Sequence, residues 1–269
     1  MSSRNSQANK AAARERLRAE REREAKKAKT RRQLIVAGSI VAVLAVAGGA
    51  SYGIMQAMKP SAWDAAKDKA LVKPANSGSD GTTVVIGKAD AKKTLEMYED
   101  PRCPICSQFE QAVGPTIKKD IDAGKYKIQF IGATFIDKGS PGTGSKTALS
   151  ALGAALNVSP EAFLEYKSAL YSAKYHPEET TDKFKNRDYL ITIADTVPAL
   201  KGNAAFDKAV KDGTYDKWAL VMSDKFDKSG VQGTPTLKMD GKKITAEGSD
   251  NAPSDPASFT AAIDKALKG

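Results

Sequence analysis

Cys103 and Cys106 are the only two cysteines of this 269-residue chain, and Pro104 and Ile105 stand between them. At that spacing both thiols lie on one helical turn, where they can close a small disulfide or open to a dithiol. The thiolate is the reacting form, and a helix N-terminus favours it through unpaired N–H groups and the helix dipole. Cys103 then serves as the attacked and attacking sulfur, with Cys106, one turn inside, as the resolving one. Pro104 suits the first turn because its missing N–H has no intrahelical partner to lose. Zinc would need more ligands, and the chain has no further cysteine and one histidine, so no metal is expected. A purely structural bridge across so short a loop would remove little chain entropy.

A second motif, Gly233-Thr234-Pro235-Thr236, opens a late strand-like run. Proline removes a ladder donor, so its place at a strand entrance needs a reason. It is either an ordinary trans proline at an edge or a cis Thr234–Pro235 bond. The cis form beside the cysteines would leave the Thr234 backbone free to pair with an extended substrate, and the cysteine motif favours it.

The elements that must position these residues follow from pattern. Residues 82–86 and 94–98 read as strands, 107–123 as a helix and 126–136 as a third strand. Residues 145–156, 160–173, 187–195 and 203–228 read as helices, the second opened by Ser159 as cap and Pro160 in the first turn. Its apolar face holds Phe163, Leu164, Tyr166, Leu170 and Tyr171, which reads as core. Asp240-Gly241 between residues 236–239 and 242–245 predicts a hairpin, and 255–267 a closing helix. A parallel strand pair with a crossover helix, followed by an antiparallel hairpin, gives an α/β mixed sheet with helices on both faces. Gly139 and Gly144 have phosphate-loop spacing, but Lys146 falls one position late, which excludes that reading. His176, in a loop between helices, is expected to be exposed or capping.

Charge divides the chain. Residues 1–33 hold twelve Lys/Arg and four Glu, residues 34–58 hold no charge, and the rest is nearly neutral. The overall +10 is therefore the property of a tail, which argues against a nucleic-acid partner. The 25 uncharged residues 34–58 exceed the ~20 that a helix needs to cross the hydrocarbon core. Arg31 and Arg32 at the inner end keep the N-terminus cytoplasmic. The expected organisation is a basic cytoplasmic tail (1–33), a transmembrane helix (34–58), a stalk (59–81) with Trp63 at the outer interface, and a catalytic domain (82–269). That domain would stand outside the cytoplasm on a single-pass anchor, where the environment is oxidising and a lone cysteine pair can cycle.

The run Glu99-Asp100-Pro101-Arg102-Cys103-Pro104-Ile105-Cys106, followed by Phe109-Glu110, resembles the active site of DsbA-like thiol:disulfide oxidoreductases of the thioredoxin superfamily. Gly233-Thr234-Pro235 is similar to their cis-proline loop. The separation of the two motifs fits a thioredoxin fold carrying a helical insertion at about 140–229. The resemblance implies that the chain forms disulfides in cysteine-containing exported polypeptides. It implies no cofactor beyond the cysteine pair, and reoxidation by a membrane partner of the VKOR or DsbB type. A reductase or isomerase, and a non-catalytic tethered chaperone or binding module, are the alternatives. Two departures stand out. Members of the family commonly carry a buried acid six residues before the first cysteine, as a proton relay; here that residue is Met97, which leaves Glu99, on the same side of the strand, as the candidate. The Pro104-Ile105 dipeptide lacks the histidine of strongly oxidising members, which implies a less depressed thiol pKa and a milder oxidant.

Overall fold

The structure, a computed structural model, describes residues 14–34 except 19, 25 and 28, residue 38, and residues 61–268. The expected membrane span at 34–58 lies, but for Leu34 and Gly38, outside the described residues. Among those described, no helix is long and apolar enough to cross a membrane. The chain divides into two units, Met1–Ser61 and Ala62–Gly269. In the first, the described residues up to Gly38 are helical and exposed, and Ser61 is exposed and outside any helix.

The second unit begins with α1 (Ala62–Lys67), then β1 (Val84–Ile86), β2 (Thr94–Glu99), α2 (Pro104–Ala123) and β3 (Lys127–Gly132). Seven helical segments follow: α3 (Ile136–Gly139), α4 (Gly144–Val158), α5 (Pro160–Leu170), a 3-10 turn (Lys183–Lys185), α6 (Arg187–Ala194), α7 (Ala204–Asp212) and α8 (Asp216–Lys228). The hairpin β4 (Thr236–Met239) and β5 (Lys242–Lys243) and the helix α9 (Pro256–Lys268) close the unit. The strands form one sheet in the order β1-β3-β2-β4-β5, with β2 parallel to β3 and every other pairing antiparallel. This is a thioredoxin fold with a helical insertion between β3 and β4.

Pattern explains the central pieces. Leu95 and Met97 alternate with half-buried Thr94 and Glu96 along β2. In α2, Phe109, Val113, Ile117 and Ile121 recur every four residues and bury one face. Gly124, at φ 78°, ends that helix in the left-handed conformation, and its N–H bonds back to Asp120 and Ile121.

Three expectations are revised. The helix read over 203–228 is two, because Gly213 takes φ 64° and caps α7 before α8 begins. Residues 126–136 are strand only to Gly132, and the chain then turns into α3. The stalk read over 59–81 belongs to the folded unit from Ala62 onward. Trp63 and Ala66 are buried, and the Asn76 side chain donates to the Leu156 carbonyl (2.8 Å). The buried Trp218 indole donates to the Gly81 carbonyl (2.8 Å). Trp63 is therefore core rather than an interfacial anchor, its ring lying beneath Lys146 (5.5 Å) and Arg187 (5.9 Å). Turn-forming composition in 75–81 marked a loop correctly but could not reveal that the loop is packed.

Candidate active site

Register brings the two motifs together. In the antiparallel pairing of β2 with β4, Tyr98 lies opposite Thr236 and Met97 opposite Leu237. The C-terminal end of β2, from which the chain runs to Cys103, thus meets the residue that follows Pro235. The Thr234–Pro235 bond is cis. Cys103 Sγ lies 3.5 Å from the Thr234 carbonyl oxygen, the acceptor for its S–H.

Cys103 is the N-cap of α2, with extended backbone angles, and Pro104 occupies the first turn. The Cys106 N–H donates to Cys103 Sγ (3.3 Å), so one unpaired helix donor is aimed at the sulfur. The Cys103 pKa is lowered to about 7, chiefly by the hydrogen bond from the Cys106 thiol and with help from the Thr234 side chain and the Cys106 N–H, against the opposing effect of burial. Burial pushes the Cys106 thiol well above its ordinary value, and the neighbouring Cys103 and Glu99 add to the rise. Both residues are thiols here, Cys103 6% exposed and Cys106 0%. Ile105 between them is 56% exposed and Pro104 half-buried, so the dipeptide forms the surface around Cys103.

An ion-pair triad carries charge that acts on Cys106. Glu99, wholly buried at the end of β2, accepts from Lys167 Nζ (3.1 Å), and the same ammonium donates to Glu110 (2.5 Å). Burial raises the Glu99 pKa to about 6, Lys167 opposing and Glu110 adding to the shift. Burial works against the Lys167 charge, yet the two carboxylates hold its pKa above the usual value. Met97 is buried core on the same strand. The triad gives a carboxyl poised near neutral pH within electrostatic reach of Cys106, which a proton relay requires.

The loop before Cys103 is tied to the helical insertion. Arg102, 1% exposed, donates to Asp137 (2.9 Å) and to the carbonyls of Ser140 (3.0 Å) and Glu179 (2.6 Å). Asp100 accepts from the Arg102 N–H (3.0 Å), the Ile136 N–H (3.2 Å) and the Ser145 hydroxyl (2.6 Å), and burial raises its pKa to about 6. His176, expected at the surface or on a helix cap, is instead half-buried beside this loop. Its Nε2 lies 3.1 Å from the Pro101 carbonyl, its ring stacks on Tyr171, and burial lowers its pKa. Among the described residues, no group of three or more His, Cys, Asp or Glu side chains is arranged to hold a metal ion.

Sequence reading singled out the cysteines, Thr234, Pro235 and Glu99, and all of these meet at one end of the sheet. It gave no role to Lys167, Glu110, Arg102 or Asp100. The available signal was a lysine embedded in an otherwise apolar helix face, with Phe163, Tyr166 and Leu170 around it.

Comparison with known proteins points to the same chemistry. Residues 79–265 match the family model described as Thioredoxin. Disulfide bond formation protein D of Bacillus subtilis (strain 168) is 28% identical over 161 residues, 60% of this chain and 68% of that one. The probable disulfide bond formation protein D of Bacillus cereus is 27% identical over 229 residues, 85% of this chain and 93% of the other. Among solved structures, oxidised BdbD from Bacillus subtilis aligns with a TM-score of 0.55 at 25% identity, covering 75% of this chain and all of that one. MdbA, a thiol-disulfide oxidoreductase from Actinomyces oris, aligns at 0.57 and 21% identity over 71% of this chain and 88% of its own; that likeness shows the fold alone.

Proposed function

This chain belongs to the thioredoxin family, and from that premise we propose that it oxidises cysteine pairs of exported polypeptides from the outer face of a membrane. It is a thiol:disulfide oxidoreductase whose redox centre is its own cysteine pair. The observation that carries the reading is the placing of Cys103: at a helix N-terminus, with its pKa brought to about 7, against the backbone of Thr234.

The exchange runs through Cys103 because Cys106 has no exposed surface. A substrate thiolate attacks Cys103 Sγ of the oxidised pair, the Cys103–Cys106 bond breaks, and its electron pair leaves on Cys106. In this reading Glu99, whose buried carboxyl has its pKa raised to about 6 and whose charge acts on Cys106, returns a proton to that sulfur. The substrate's second thiolate then attacks its own sulfur in the mixed disulfide, releasing Cys103 as a thiolate. Two electrons pass from substrate to enzyme, one proton is taken up at Cys106 and one is released to solvent. A leaving thiol with a pKa of about 7 departs readily, which drives the second step. A Cys103 pKa of about 7 rather than far lower fits a milder oxidant, in keeping with Pro104-Ile105 between the sulfurs.

The basic residues 1–33 and the 25 uncharged residues 34–58 support an N-terminal anchor with the catalytic unit outside the cytoplasm. Reoxidation by a VKOR- or DsbB-type membrane partner is part of the proposal and rests on resemblance to the DsbA-like enzymes. The test is alkylation of the in-cell thiols with a mass tag, together with Cys106→Ser to trap substrates. A mostly disulfide pair, and mixed disulfides with exported proteins lost on Cys103→Ser, are expected. A mostly dithiol pair would assign the reverse electron flow, and binding that persists in Cys103→Ser would assign a chaperone.

A further inference from the structure

Each of the three residues that lead into Cys103 is bonded to the helical insertion between β3 and β4. Asp100 accepts from the Ile136 N–H and the Ser145 hydroxyl, and the Pro101 carbonyl lies 3.1 Å from His176 Nε2. Arg102 makes the most of these bonds. Its Nη1 donates to Asp137 Oδ1 (2.9 Å) and to the Ser140 carbonyl (3.0 Å). Its Nη2 donates to the Glu179 carbonyl (2.6 Å), and Asp182 Oδ1 lies 3.7 Å from Nη1. One planar fork thus fastens the residue before the nucleophile to two loops of the insertion, 137–140 and 179–182. At 1% exposure the guanidinium is out of reach of bulk water, so these partners stabilise its charge.

The glycine-rich turn excluded as a phosphate loop packs against this side chain. A Cβ on Gly144 would lie 3.0 Å from Arg102 Cδ and closer still to Asp182 Oδ1. The N–H groups that open α4 are already taken. Asp182 accepts from Thr143 (3.1 Å) and Gly144 (2.8 Å), and Asp137 from Ser145 (2.9 Å) and Lys146 (3.1 Å). Two carboxylates therefore fill the helix end where a phosphate would sit, and Arg102 balances their charge.

We propose that Arg102 is a positioning residue for thiol exchange: its fork holds the turn of residues 100–103 so that Cys103 Sγ stays beside the Cys106 donors and the Thr234 carbonyl. The inference deepens the exchange reading above and rests on it. Within the turn the Cys103 N–H donates to the Asp100 carbonyl (2.9 Å), so Cys103 moves with it. Its sulfur lies 3.3 Å from the Cys106 nitrogen and 3.5 Å from the Thr234 oxygen, and a shift of about an ångström breaks both contacts. The Cys106 thiol is the chief cause of the lowered Cys103 pKa, and the Cys106 N–H assists it. A turn released from the insertion therefore carries a less ionised, slower sulfur. Lysine at position 102 would keep the charge, but a single ammonium cannot span both loops.

The test follows alkylation of Cys103 by iodoacetamide across pH in the reduced full-length protein. Arg102→Lys is expected to move the midpoint of the profile up by about one unit, from about 7 toward the ordinary 9.0. Alkylation at pH 7 then slows about fivefold, while the rate at pH 10 stays that of the wild type. Arg187→Lys is the control. Arg187 makes a like fork, to Asp216 (2.8 Å) and the Val210 carbonyl (2.7 Å), and its replacement is expected to leave the profile unchanged. Loss of stability alone would leave both midpoints in place. Should Arg102→Lys fold poorly, Gly144→Ala crowds the Arg102 side chain with every charge kept, and is expected to move the midpoint in the same direction. An unmoved midpoint in Arg102→Lys, or in Gly144→Ala where it stands in, overturns the proposal, as does an equal shift in Arg187→Lys. A wild type with its midpoint near 7 that oxidises no reduced peptide overturns the functional reading alone. A wild-type profile that levels only near the ~8.5 of a free cysteine overturns both.

Discussion

A thiol with a pKa of about 7 is half ionised at neutral pH, and that fraction governs what Cys103 does. Alkylation of the reduced enzyme by iodoacetamide is expected to accelerate about tenfold per pH unit below pH 7 and to level off above it. A profile that levels only near the ~8.5 of a free cysteine would remove the helix-end activation. The folded pKa lies below the ordinary 9.0, so the stabilisation that Cys103 gives the dithiol form is absent below pH 7. It grows between pH 7 and 9 and is complete above that. Both cysteines and Pro235 were legible in the sequence because their types are scarce and their spacing is tied to one chemistry. Tyr171 and His176 were not, since a tyrosine on an apolar helix face and a lone histidine each have commoner explanations. Only tertiary packing sets Tyr171 against the cysteines and His176 against the loop before them.

At the scale of elements, one buried ammonium on α5 ties the helical insertion to both β2 and α2. Lys167 is the positive charge between Glu99 on β2 and Glu110 on α2. Removing one partner of a buried ion pair leaves uncompensated charge and costs about 3–5 kcal/mol. Lys167→Met is therefore expected to lower stability by about that amount at pH 7, read by urea unfolding. Without the lysine, burial and the mutual repulsion of the two carboxylates raise the Glu99 pKa still further above its present value of about 6. The folded state then binds more protons than the unfolded one at any pH between the ordinary 4.5 and that raised value. Stability of the variant must fall as pH rises through this window, so its deficit is expected to shrink at pH 5. A deficit that is the same at both pH values would mean that packing, not charge, holds α5 in place. The helix itself was readable from Ser159, Pro160 and its apolar spacing. What period alone could not tell is that a lysine on the buried face marks a polar site within the core.

For the whole molecule, the question is where the catalytic unit begins. Composition placed the boundary near Gly81, where Asn, Ser, Gly and Asp cluster, and turn chemistry was read as linker. The packing places it at Ala62. Residues 62–81 supply a buried Trp63 and a buried Ala66. They also supply the Gly81 carbonyl for Trp218, the Asn76 bonds to the end of α4, and the Asp80–Lys225 ion pair (2.5 Å). The ion pair is exposed and contributes little. The tryptophans weigh far more. Losing a buried aromatic side chain alone costs about 3–5 kcal/mol, and an orphaned buried donor about 1–3 more. Comparing 62–269 with 82–269, the longer piece is expected to unfold cooperatively. The shorter one should be destabilised by at least ~4 kcal/mol on those figures, enough to remove much of a typical domain's ~5–15. Equal melting temperatures for the two would restore the stalk reading.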